Sequence, residues 1–177
     1  LNKAIHYFTL SANQNNPDAL YNLGFIYCEG VHVKRDINKA IQYLTQAAEQ
    51  NNLNSCFYLG IIYLEGKYIT RDINKVLKYL THAANQNHPD AQYALGFIYH
   101  EGKVVKRNIE KSIYYYKLAS DQNNSKAQNN LGNIYFENKY IKQDISKCIY
   151  YYTLAADQNN VEAQVILSII YLYGIYT

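Results

Sequence analysis

Residues 17–52 read PDALYNLGFIYCEGVHVKRDINKAIQYLTQAAEQNN, and the same pattern returns from residues 53, 89 and 125. Leu23, Leu59, Leu95, Leu131 and Leu167 lie 36 apart, as do Tyr27, Tyr63, Tyr99, Tyr135 and Tyr171. Gly24, Gly60, Gly96 and Gly132 keep the spacing, with Ser168 in the fifth slot. Self-similarity at this period marks a stack of supersecondary units, each burying its apolar face against its neighbours. The chain, 1–177, is therefore expected to be a single array of about five repeats.

Two helices fill each period. From Asp36 to Asn51 the apolar residues Ile37, Ala40, Ile41, Leu44, Ala47 and Ala48 step by three and four, the signature of one helical face. We call this helix B; copies are expected over Asn2 to Gln14, Ile73 to Gln86, Ile109 to Gln122 and Ile145 to Gln158. Asp36, Asp72, Asn108 and Asp144 hold the N-cap slot, where a side-chain oxygen accepts from free backbone N–H groups. Asn15, Asn51, Asn87, Asn123 and Asn159 stand where the backbone must turn left-handed, a role Asn fills when Gly does not. The next residue (Asn16, Asn52, His88, Asn124 or Asn160) caps helix A, and Pro17 and Pro89 suit its first turn. Helix A, Pro17 to Glu29 in this copy, carries the core stripe Ala19, Leu23, Ile26 and Tyr27. A glycine inside it costs roughly 1 kcal/mol against alanine, so the recurrence of Gly24 predicts close approach by the partner helix. Gly30, Gly66, Gly102 and Gly174 end helix A, with Asn138 in the fourth copy. Each A-to-B loop tucks in one apolar residue: Val33, Ile69, Val105 or Ile141. The reading is an all-α chain that begins on a helix B and ends on a helix A, as a slice of a longer array would.

Ala91, Leu95, Gly96, Tyr99, Gly102, Asn108, Ser112, Tyr115, Ala119 and Ser120 trace a pattern that resembles the Sel-1-like repeat family, relatives of the tetratricopeptide repeats. Ser55, Leu59, Gly60, Tyr63, Gly66, Asp72, Val76, Tyr79, Ala83 and Ala84 trace it again. The resemblance implies a right-handed α-solenoid superhelix of antiparallel helix pairs, acting as an adaptor or scaffold that binds proteins along its concave groove. It also implies an alternative: a regulatory or targeting array attached to a catalytic domain, such as a kinase, elsewhere in the polypeptide. Some secreted members carry a disulfide in each repeat and are linked to penicillin binding. The paired cysteines that would go with that activity are absent here.

Other classes find less support. The net charge of +3 gives no strong argument for nucleic acid or a membrane surface. Lys34, Arg35, Lys67, Arg71, Lys103, Lys106, Arg107, Lys139 and Lys142 fall in the A-to-B loops, and the favoured reading of that ridge is a solvated edge; nucleic-acid binding through it ranks a distant third. No apolar run is long enough to span a bilayer. Cys28, Cys56 and Cys148 sit at unrelated phases and read as free thiols in a reducing compartment, hence a cytoplasmic expectation. An upstream signal stays open, since the chain starts at Leu1 rather than Met. No nucleophile–base constellation, phosphate loop or metal-ligand spacing appears, so neither enzyme activity, nor a cofactor, metal or small-molecule substrate is expected.

The partner-binding residues should lie on helix A, opposite its core stripe at about 100° per residue. They are Tyr21, Phe25, Phe57, Ile61, Tyr93, Phe97, His100, Asn129, Asn133 and Phe136: apolar and aromatic at first, then amide-rich. Asn129 and Asn133 are expected to be exposed, because two uncompensated buried amides would be costly. The rings at positions 21 and 25 have a competing reading, as packing between successive A helices. Ile166, Ile169, Ile170, Tyr171, Leu172 and Ile175 leave the last helix apolar on nearly all sides, which predicts self-association.

Overall fold

The computed structural model describes residues 2–31, 33–137 and 139–175. Among them are ten α-helices and no strand. Contacts divide the chain into two units, 1–88 and 89–177. The first holds α1 (Asn2–Ala12), α2 (Pro17–Glu29), α3 (Ile37–Glu49), α4 (Leu53–Glu65) and α5 (Ile73–Asn85). The second holds α6 (Pro89–Glu101), α7 (Ile109–Asp121), α8 (Ser125–Phe136), α9 (Ile145–Asp157) and α10 (Val161–Leu172). Even-numbered helices are the A helices and odd-numbered ones the B helices. The expected left-handed Asn138 lies outside the described residues.

The paired asparagines stop one helix and start the next. Asn15, Asn51, Asn87, Asn123 and Asn159 all adopt positive φ, from 59° to 64°. Asn16 Oδ1 then accepts from the N–H of Asp18 and Ala19, and Asn52, Asn124 and Asn160 each accept from the residue three further on. At the other end, the side chains of Asp36, Asp72, Asn108 and Asp144 accept from Lys39, Lys75, Lys111 and Lys147 N–H at 2.9–3.1 Å. Each such cap contributes about 1 kcal/mol. The B helices close slightly earlier than expected: Gln50, Gln86, Gln122 and Gln158 bond three residues back, which tightens the last turn outside regular α geometry.

The core runs between each A helix and the following B helix. In the first unit Leu23, Leu44, Leu59 and Leu80 are fully buried; in the second, Leu95, Tyr116, Leu131 and Tyr152 are. The helical glycines meet these side chains directly. A Cβ on Gly24 would lie 2.6 Å from Leu44 Cγ, and one on Gly96 2.5 Å from the Tyr116 ring. That is the close approach the glycine recurrence predicts, and no larger residue fits it without displacement.

The loop cations hold a structural post that the sequence reading missed. Arg35 Nε donates to Cys28 O at 2.8 Å and Nη2 to Glu29 O at 2.8 Å. Arg71 and Arg107 make the same Nε bond to Leu64 O and His100 O, and Gln143 Nε2 reaches Phe136 O. These groups satisfy the open carbonyls at the C-termini of α2, α4, α6 and α8, where positive charge also suits the helix dipole.

Candidate functional site

In the first unit the A helices α2 and α4 bury Leu23 and Leu59 and turn an aromatic cluster the other way. Tyr21, Phe25, Phe57 and Ile61 are all half-buried. Tyr58 ties them together: its ring lies 5.8 Å from Tyr21, 5.4 Å edge-on from Phe25 and 5.6 Å from Phe57. Phe57 in turn stacks on His88 at 5.2 Å, and His88 Nε2 meets Asn54 Oδ1 at 3.0 Å. Burial pushes the Tyr58 hydroxyl up to about 12. The packing reading of positions 21 and 25 therefore holds in part, because these rings join α2 to α4 while staying partly exposed. Edge-on and offset pairs of this kind contribute about 0.5–1.5 kcal/mol each beyond their area.

In the second unit the corresponding face is mixed. Tyr93 lies 6.4 Å from Phe97 and 5.9 Å from Tyr116, and Phe97 is 44% exposed. His100 sits edge-on to Tyr116 and Tyr140, and burial holds its pKa below the usual imidazole range. Tyr116 and Tyr152 rise from the B helices beneath Gly96 and Gly132 and are fully buried, with their hydroxyls bonded to amides of α8. Asn130 Nδ2 donates to the Tyr116 hydroxyl at 3.0 Å, and the Tyr152 hydroxyl donates to Asn133 Oδ1. Burial raises the pKa of both tyrosines, so they stay neutral donors or acceptors at ordinary pH. Phe136 packs half-buried against the core of this unit.

The expected exposure of the amides is not found. Asn129 is only 4% exposed, and Asn133 is half-buried. Asn129 is compensated on one side, through Nδ2 to Glu162 Oε2 at 2.9 Å, while its Oδ1 has no partner among the described residues. The carboxylate on the next A helix, five positions before the array's last leucine slot, is what makes the burial tolerable. Sequence reasoning missed Tyr58, Tyr116, Asn130 and Tyr152. The change from Leu44 and Leu80 to Tyr116 and Tyr152 at one repeat phase was the available signal.

Chemically, each unit offers ring faces, and the second adds the half-buried amides of Asn130 and Asn133. Among the described residues no three His, Cys, Asp or Glu side chains gather to hold a metal ion. No helix among them is long and apolar enough to cross a membrane.

The Sel1 repeat family model matches residues 1–16, 17–52, 53–88, 89–124 and 125–160. The chain belongs to the Sel1 repeat family. Solved structures agree. This Sel1 repeat protein is 29% identical to a protective antigen of uropathogenic Escherichia coli that displays an SLR fold, with a TM-score of 0.90 over 96% of the chain. It spans 36% of that protein's length. A Sel1 repeat protein from Oxalobacter formigenes is 30% identical, with a TM-score of 0.86, covering 96% of this chain and 69% of that one. Helicobacter pylori cysteine rich protein B is 27% identical, with a TM-score of 0.54, over 71% of this chain and 90% of that one. No curated protein sequence matches. The fold is thus the all-α Sel1 repeat solenoid, a scaffold that generally mediates protein–protein interaction and is typically non-catalytic.

Proposed function

We propose that this Sel1 repeat protein is a non-enzymatic adaptor that holds an extended peptide or a helix of another protein against its A helices. The observation that carries the reading is Phe97: a large aromatic left 44% exposed on a helix whose opposite side is fully buried, flanked by Tyr93 and His100. Exposed aromatics among half-buried rings are what anchor residues of a partner fill. In the first unit Tyr21, Phe25, Phe57 and Ile61 form the corresponding patch; in the second Tyr93, Phe97, His100, Asn129, Asn133 and Phe136 do. Asn129 acts there from below, through Glu162, rather than by direct contact.

Affinity capture from the source cells tests this, with wild type beside Phe97→Ala. Phe97 makes few buried contacts, so the variant should keep its helicity and lose a partner that wild type retains. Equal capture by both proteins would remove the support for the A-helix face. A second association rests on a separate observation. Val165, Ile169 and Leu172 on α10 are 52%, 44% and 76% exposed, an apolar surface that favours self-association through the last helix. Light scattering at rising concentration reads it, and a monomer throughout would end that idea.

A further inference from the structure

Four repeats share a tyrosine–tyrosine–lysine arrangement where helix A passes to helix B, and in the first unit a cleft, or notch, opens beside each. In the first unit the Tyr27 ring stacks on Tyr43 at 6.0 Å, with the Lys39 ammonium 5.2 Å from its centroid. One repeat later Tyr63 stacks on Tyr79 at 6.3 Å with Lys75 at 4.6 Å. The second unit repeats the arrangement twice, as Tyr99, Tyr115 and Lys111 and as Tyr135, Tyr151 and Lys147. Beside the first ring lies a cleft of about 370 Å³, lined by Tyr27, Val33, Arg35, Asp36 and Lys39. Beside the second lies one of about 600 Å³ with the matching residues Tyr63, Ile69, Arg71, Asp72 and Lys75, and with Ile73 added. Two clefts at the same phase of successive repeats are a built feature rather than a chance hollow.

The charge around the notches is net basic. In the first unit this end of the helices carries Lys34, Arg35, Lys39, Lys67, Arg71 and Lys75 against Glu29, Asp36, Glu65 and Asp72. Of the carboxylates there, Asp36 and Asp72 spend one oxygen on capping. Lys75 reaches Asp72 at 3.9 Å and Lys147 reaches Asp144 at 2.8 Å, but among the described residues Lys34, Lys39, Lys106 and Lys111 have no carboxylate within ion-pair distance. The opposite end of the helices is net acidic in the second unit, with Asp90, Asp121, Asp157 and Glu162 against Lys126. The net charge of +3 conceals this separation.

We infer that the notches form a second docking surface, distinct from the A-helix face, for an extended acidic segment of a partner protein in which carboxylates flank aliphatic side chains. The carboxylates meet the lysine ammoniums, which the tyrosine rings hold in place by cation–π attraction. The aliphatic groups enter over Val33 or over Ile69 and Ile73. The two clefts of the first unit, one repeat apart, bind such a segment bivalently, which raises its apparent affinity without new contacts. Nucleic acid fits less well. The tyrosine rings are already engaged by a tyrosine and an ammonium, so they offer bases no stacking platform.

The test is fluorescence anisotropy with a labelled peptide of repeated Glu-Glu-Leu units, beside a labelled oligo-dT. Wild type should bind the peptide, more weakly as salt rises. A Lys39→Gln/Lys75→Gln/Lys111→Gln/Lys147→Gln variant with unchanged helicity should bind about tenfold more weakly, while the same four positions changed to Arg should keep binding. Phe97→Ala should bind this peptide as wild type does, which separates this surface from the A-helix face. Equal binding by the Gln variant and wild type would overturn the inference. So would loss of the peptide in Phe97→Ala, or tighter binding of oligo-dT than of the peptide.

Discussion

A glycine inside a helix costs about 1 kcal/mol unless something else needs its space, and at Gly96 the Tyr116 ring does. Gly96→Ala gains helix propensity but drives a Cβ to within 2.5 Å of that ring. The net loss expected in urea unfolding is about 1–2 kcal/mol. Ser168 holds the same phase on α10, where it is exposed and its hydroxyl donates to Val165 O. Ser168→Ala should therefore be neutral or slightly stabilising by the same measurement. The opposite signs at one repeat position would show that packing, not propensity, selects the glycine. Asn123 supplies a second test at this scale, at φ 61°. Asn123→Gly should hold or raise the melting temperature, whereas Asn123→Ala should cost about 1 kcal/mol through its left-handed backbone.

At the scale of the element, the A-helix C-termini depend on a side chain from the loop that follows. Gln143 already does for α8 what arginine does for α2, α4 and α6. Arg107→Gln should accordingly stay within about 0.5 kcal/mol of wild type, and Arg107→Ala should cost about 1 kcal/mol in thermal unfolding. Tyrosines on both kinds of helix contribute a pH dependence. Tyr58 on α4 and Tyr151 on α9 are pushed up to about 12 by burial, from an ordinary 10.0, and Tyr116 and Tyr152 shift the same way. A tyrosine whose folded pKa is raised keeps its proton when the unfolded chain has lost it. Its contribution is thus fully present below about pH 10 and falls as pH rises towards 12. Denaturant midpoints measured across that window should drop steadily, and Tyr152→Phe should flatten the slope.

Across the whole molecule, the helices, their caps and the left-handed asparagines were legible because each depends on a residue and its immediate neighbours. Asp36 and Lys39, or Asn51 and Asn52, are close in sequence, so a repeat period exposes their role. The A-helix face was legible only in outline. Its half-buried rings follow from helical phase, but the fate of Asn129 depends on Glu162, a repeat away, and that of Asn133 on Tyr152 reaching up beneath a glycine. Arg35 was misread for a similar reason: a cation in a loop looks solvated until the open carbonyls beside it are counted.

The stacked tyrosines give this chain an optical property. It has 21 tyrosines and no tryptophan, so its near-ultraviolet spectrum is dominated by rings of one kind. In four repeats two of those rings lie 5.7–6.3 Å apart and within 16° of parallel. Rings held that way share their excited states, and the resulting circular dichroism depends on the A and B helices keeping register. A state that retained its helices but let them slide would keep its far-ultraviolet signal and lose this one. The protein thus carries, without any label, a gauge of helix packing in each of those four repeats.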